Sequence, residues 1–171
     1  MHRYPNDTLD RLWFTDTTAP TNQTSQAVVV AGLADSPPVS VVQTNFMATT
    51  AAGLYYNRSL LGSTPYKYCV ALYFAELDPN VNASGQRVFD ISINGNAFGK
   101  GIDVYADVGL YRVDEVYSSY PLGPFSDYVL IQLTSAAGSV LPPFIAALEL
   151  FQLFQNPMLP ATSSVDGKIR A

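Results

Sequence analysis

One cysteine, one histidine and one tryptophan occur in 171 residues, and only 13% of the chain is charged. The single cysteine, Cys69, excludes an internal disulfide. It stands beside Val70 and Leu72, with only Lys67 as a basic neighbour, and reads as a small buried apolar side chain rather than a reactive thiol. The single histidine, His2, lies at the N-terminus and leaves a Ser-His-Asp or Cys-His nucleophile without its base. No G-x-S-x-G, P-loop or H-E-x-x-H motif occurs. No run of basic residues occurs either, and the net charge is −5 with a pI near 4.6. Phosphate binding needs clustered Lys and Arg, so nucleic acid is excluded as a partner. The longest apolar stretch, residues 140–154, is interrupted by Pro142, Pro143 and Glu149 and is too short to span a bilayer. The first ten residues carry no apolar signal-like core. The chain is therefore expected to be cytosolic, or a fragment separated from its signal and membrane anchor.

What is present points to a compact β protein. The length suits one domain with a real core. Low charge combines with 12 Pro, 11 Gly and 11 Tyr. Residues 66–77 are apolar on both faces at strand period. Tyr66, Tyr68, Val70, Leu72 and Phe74 fall on one face, and Cys69, Ala71, Tyr73 and Ala75 on the other. This segment is expected to be an interior strand. Residues 87–94 alternate cleanly, with Phe89, Ile91 and Ile93 inward, and end in Asn94-Gly95, a type I′ turn signal. Residues 78–86 are dense in turn formers and are expected to close a hairpin. Further strands are expected at 27–33, 39–50, 127–134 and 141–154, with 53–65 as a loop and 101–125 irregular. A short buried helix is the alternative for 144–154. Pro142-Pro143 belongs at a strand start or edge. The fold class is all-β: an antiparallel β-sandwich or jelly roll with long loops. The domain is expected over 1–154, with 1–26 as an extended lead-in anchored by Leu12-Trp13-Phe14. Residues 155–171, holding Pro157, Pro160 and Gly167, read as a C-terminal linker.

Four N-x-[ST] sequons occur, at Asn6, Asn22, Asn57 and Asn82, all in segments read as loops. They favour a secreted, glycosylated chain over a cytosolic one. Sugar recognition needs aromatic faces beside carboxylates or amides. The richest such cluster is 101–125, from which Tyr105, Tyr111, Asp114, Tyr117 and Tyr120 are the candidate ligand-binding residues. The bland alternative is that half of these tyrosines are core and the acids solvated. Tyr55-Tyr56 is a second candidate, ranked lower because Asn57 adjoins it. A glycosidase would need two facing carboxylates, and Glu76, Asp90 and Glu149 lie on or near strands. Such acids more often pair with an arginine such as Arg87, so no catalytic residue is expected. Asp78, Asn80 and Asn82 alternate as in a calcium loop, but an Asp/Asn-rich turn explains them equally. No metal or cofactor is expected.

Several blocks, in order, resemble the malectin-like ectodomains of plant receptor kinases. Tyr4-Pro5-Asn6-Asp7 and Asp10-Arg11-Leu12-Trp13 resemble the family's YPDD…DRIW opening. Pro38-Val39 through Val41-Val42-Gln43-Thr44, Tyr73-Phe74-Ala75-Glu76-Leu77, the 87–95 hairpin and Leu141-Pro142-Pro143 through Leu148-Glu149 resemble further family blocks. Ala146 departs from the pattern, which has Asn there. The resemblance covers residues 4–154 and implies a β-sandwich and an extracellular place. The opening is similar to that of the second unit of a tandem pair, which in such ectodomains precedes leucine-rich repeats, a membrane helix and a kinase. The expectation is a noncatalytic extracellular recognition domain binding cell-wall carbohydrate or a secreted peptide, next to a malectin-like or leucine-rich-repeat neighbour. The alternative is a structural module that self-associates in a glycosylated polymer, its extended ends adding to a neighbour's sheet edge.

Overall fold

A computed structural model describes residues 2–3, 7, 9–15, 21–33, 35–49, 53–60 and 62–153. The elements, in chain order, are β1 (His2–Arg3), β2 (Leu12–Trp13), β3 (Thr21–Gln23), α1 (Val39–Val42), β4 (Thr44–Met47), β5 (Leu54–Ser59), β6 (Tyr66–Ala75) and β7 (Phe89–Ile93). They continue with β8 (Asn96–Ile102), α2 (Val104–Asp107), β9 (Val113–Tyr117), β10 (Leu122–Phe125), β11 (Tyr128–Ser135), β12 (Phe144–Ile145) and β13 (Ala147–Leu153).

Two four-stranded antiparallel sheets face each other. In the first, β6 is central, with β13 along one edge and β9 then β10 along the other. The second runs β5-β11-β7-β8. Strand alternation places Val70, Leu72 and Phe74 of β6 against Phe89, Ile91, Ile93, Val129, Ile131 and Leu133 of the second sheet, all buried in one cluster. A third sheet, β12-β4-β3, packs Phe46, Met47, Phe144 and Ile145 on the same core. Phe74, Phe89 and Phe144 form a mutual aromatic triad with centroids 5.2 to 6.2 Å apart. The all-β sandwich expected from the sequence is therefore present.

The opposite face of β6 carries a second core. Ala71, Tyr73 and Ala75 pack against Trp13, Val28, Val42, Leu77 and Val113. Both faces of β6 are thus covered along much of its length, which is why it reads as a continuous apolar run. The Asn94-Gly95 turn takes positive φ at both residues, 47° and 78°, as a type I′ connection between β7 and β8 requires.

Several expected elements differ. Residues 27–33 form no strand: Val29 makes one bridge to Arg112, and the chain turns at Gly32 while Val28 plugs the second core. Residues 39–50 split into one helical turn after Pro38 and the short β4, because Val42 is drawn into the second core. Residues 53–65, expected as a loop, contain β5, in which Leu54 and Tyr56 are buried and Tyr55 and Asn57 exposed. The 78–86 turn closes no hairpin, since β6 and β7 belong to different sheets. The expected last strand is two strands in two sheets. The switch falls at Ala146, whose N–H donates to Tyr73 O. Residues 101–125 hold β9 and β10 as well as α2. Residues 155–171 lie outside the described residues.

Candidate functional site

Two buried clusters account for most of the charged motif residues. In the first, the Asp7 carboxylate accepts from Arg11 Nε and Nη2, from Trp13 Nε1 at 2.9 Å and from the Leu9 N–H. Arg11 also donates to Glu149 Oε2 at 2.9 Å and to Ser36 O, and its guanidinium lies 5.0 Å over the Trp13 ring. Tyr73 donates its hydroxyl to the same Glu149 oxygen at 2.7 Å. This network pins the lead-in segment across the outer face of β6 and β13. Burial pushes the Asp7 carboxyl up, but the hydrogen bonds from Arg11, Trp13 and Leu9 outweigh it and bring it down to about 2. Burial wins at Glu149, whose carboxyl is raised despite Tyr73 and Arg11.

In the second cluster, Arg87 Nε donates to Glu76 Oε2 at 2.8 Å and Nη1 donates to Pro142 O, with the guanidinium 5.1 Å over Phe144. The other Glu76 oxygen accepts from the Asp78 N–H. Asp90 accepts from the Gly101 N–H. Glu76, Asp90 and Glu149 are thus each engaged by structural donors. Asp78 and Asn80 act as a turn, the Asp78 carboxylate accepting from the Asn80 N–H and amide. Among the described residues, no group of three His, Cys, Asp or Glu stands close enough to hold a metal ion, and no helix is long and apolar enough to cross a membrane.

The five candidate residues from 105–120 do not converge. Tyr105 is half-buried and donates its hydroxyl to Asn82 O, while Asp103 accepts from the Gly85 N–H, so this end of 101–125 clasps the 78–86 turn. Tyr111 packs on the second core at a φ of 56°, its backbone tied to Val29 and Glu76. Asp114 pairs with Phe74 and shares its face of β9 with Val116, which packs on the main core. Burial, then Asp107 and Glu115, raise its carboxyl. Tyr117 lies three residues on, so alternation turns it to the opposite, outer face. It is 43% exposed there, and Tyr120 in the following loop is 81% exposed.

The outer face of the first sheet is therefore divided. One half is covered by Trp13 of the lead-in segment together with Val28, Val30, Leu33 and Val42. The other half shows Tyr117, Cys69, Lys67 and Leu153, which alternation places together, with Phe151 half-buried at the boundary against the second core. Cys69 is half-buried rather than fully buried. The neighbouring Cys69 sulfur, ahead of burial, raises the Tyr117 phenol. At the strand ends this face runs into an open cleft of about 300 Å³ lined by Pro65, Tyr66, Lys67, Pro124 and Leu153. Tyr68 and Phe125 stack on the inner side, 6.3 Å apart, and hold β10 to β6. Lys67, Phe151 and Leu153 on this half are not among the candidate residues expected from the sequence. Their odd-numbered positions on β6 and β13 were the available signal. Of the sequons, Asn82 is exposed in a turn, while Asn22 and Asn57 lie in strands rather than loops; Asn6 is outside the described residues.

The profile of the malectin-like domain family matches residues 1–153. The nodulation receptor kinase of Pisum sativum is 31% identical over 171 residues, covering 98% of this chain and 17% of that protein. The chain thus spans about a sixth of the length of the curated relatives it matches. Among solved structures, the ANX2 ectodomain from Arabidopsis thaliana superposes with a TM-score of 0.65 at 18% identity, over 84% of this chain and 44% of that one. A complex of the plant peptide RALF23 with FER and LLG2 gives 0.67 at 17% identity, over 83% of this chain and 41% of the matched chain. With the profile spanning nearly all of the sandwich, and plant receptor kinases among its relatives, the chain belongs to the malectin-like family.

Proposed function

We propose that this chain is a noncatalytic, extracellular recognition module of a plant receptor-like protein, and that it captures a secreted peptide on the open half of the β6 sheet's outer face. The observation that carries this reading is the make-up of that open half, which sets aromatic and apolar side chains beside the Lys67 ammonium. Sugar hydroxyls are usually held by carboxylates or amides standing beside the stacked ring. Here Tyr117 and Tyr120 are exposed while Asp114 faces the opposite side of the sheet, and Glu115, on the same face as Tyr117, is half-buried opposite Tyr73. The open surface instead offers tyrosine, apolar Phe151 and Leu153, and the Lys67 ammonium beside a cleft, a set suited to an extended peptide with an apolar anchor and an acidic group. The solved complex of a family-like fold with the peptide RALF23 supports the same choice.

Screening the secreted chain against a display library of plant secreted peptides and a cell-wall glycan array tests this. Peptide binding that falls at least tenfold in Tyr117→Ala or Lys67→Glu is expected. Glycan binding lost on the same substitutions would establish the carbohydrate reading instead. No binding, with large oligomers by light scattering, would establish a structural, self-associating module.

A further inference from the structure

The second sheet has an outer face of its own, and a sequon lies in the middle of it. On β5, Leu54 and Tyr56 point into the core, so Tyr55, Asn57 and Ser59 point out. On β11, Val129, Ile131 and Leu133 point in, so Tyr128, Leu130 and Gln132 point out. The register places Asn57 opposite Leu130, Tyr55 opposite Gln132 and Ser59 opposite Tyr128. Tyr55 therefore lies two residues before Asn57 on the same strand, and Tyr128 lies on its diagonal across the neighbouring one. Opposite and diagonal neighbours at such positions are within reach of a large side chain or a ring attached to one. Tyr55 and Tyr128 are 57% and 49% exposed, and Leu130 lies between them. Gln132 donates its amide to the Tyr55 hydroxyl at 3.3 Å, which fixes the ring's edge.

The sequons differ in what their amides do. Asn22 is half-buried and donates to the Met47 sulfur. Asn57 is exposed, with Ser59, the sequon hydroxyl, exposed on the same face. We propose that Asn57 carries an N-linked glycan whose first sugar packs between Tyr55, Leu130 and Tyr128, so that the glycan covers the outer face of the β5-β11 sheet. In the modification a bond forms between Asn57 Nδ2 and C1 of the first N-acetylglucosamine. The pyrophosphate of a lipid-linked oligosaccharide donor leaves, and the amide loses one proton. The sugar's C–H face and acetamide methyl match the aromatic and leucine surface, and its hydroxyls remain toward water. The glycan would shield an otherwise open apolar strip and close this face to ligands, leaving the β6 sheet as the recognition surface.

The test uses the full chain secreted from a eukaryotic host. Glycopeptide mass spectrometry reads Asn57 occupancy, and thermal unfolding is compared for wild type, Tyr55→Ala, Asn57→Gln, Ser59→Ala and the Tyr55→Ala/Asn57→Gln pair. The expected result is an occupied Asn57 and a loss of about 3 °C in Tm on removing the sequon by either substitution. Tyr55→Ala should cost a similar amount with the glycan present and much less without it. A bare Asn57 peptide would overturn the proposal. So would an occupied site at which Tyr55→Ala lowers Tm equally in both backgrounds, since the sugar would then not rest on the ring.

Discussion

Replacing Asp7 with asparagine isolates what the buried lead-in network contributes. The Asp7 side chain has no solvent exposure and accepts from Arg11, Trp13 and Leu9. Its carboxyl falls from 3.8 to about 2 on folding. Each tenfold change in proton affinity is about 1.4 kcal/mol, so the folded state gains about 2 kcal/mol from the ionised form. The folded value lies below the unfolded one. The contribution is therefore fully present above about pH 5 and is lost as the pH falls toward 2. For a chain of this length that corresponds to about 4–8 °C in Tm. Glu149, whose carboxyl is raised, responds with the opposite sign, so total acid sensitivity does not report on Asp7 alone. The difference between wild type and Asp7→Asn does. Thermal melts from pH 7 to pH 2 should show the variant less stable at neutral pH, with the gap closing by most of that amount between pH 5 and pH 2. A gap that stays constant across this range would refute the assignment of Asp7 as an ionised, multiply bonded anchor.

Arg87→Met leaves the Glu76 carboxylate buried without its cation and should cost about 3–5 kcal/mol. The Glu76→Gln/Arg87→Met double variant should cost less than the sum of the singles, read by urea unfolding. Gly53→Ala should cost about 3 kcal/mol in the same assay, because a Cβ there would stand 2.0 Å from Leu133 O at a φ of 103°. Tyr117→Ala should leave stability within about 0.5 kcal/mol of wild type, since the ring is on the surface, while reducing ligand affinity.

Much of the sandwich was legible in the sequence because β6, β7 and β11 bury side chains at strict strand period, and β6 buries them on both faces. The Asn94-Gly95 turn was legible because few other dipeptides tolerate two successive positive φ values. The elements that were missed lack one or other of these signals. In β5 only two residues are buried, and its outward positions carry Tyr55, Asn57 and Ser59, which look like loop residues. The run through Phe144 and Leu153 is apolar throughout, so nothing in its period marks the change of sheet at Ala146. At residues 27–33 hydrophobicity marks burial against Trp13 and Tyr73 without strand pairing. The motif blocks were visible, but their chemistry was not. Glu149 lies 138 residues from Arg11, and the Asp7–Arg11 pair meets it only when the lead-in segment folds across β13. For the candidate site, composition identified a tyrosine-rich segment but not its faces. The odd spacing between Asp114 and Tyr117 already separated them across the sheet, once residues 113–117 are taken as a strand.

The most direct test of the recognition surface is hydrogen–deuterium exchange on the secreted chain with and without a captured peptide. Protection is expected in β9, in the 118–121 loop and at the β6 and β13 ends carrying Lys67 and Leu153, with the β5-β11 sheet unchanged. Protection confined to the 78–86 turn or to the β5-β11 face would contradict the assignment.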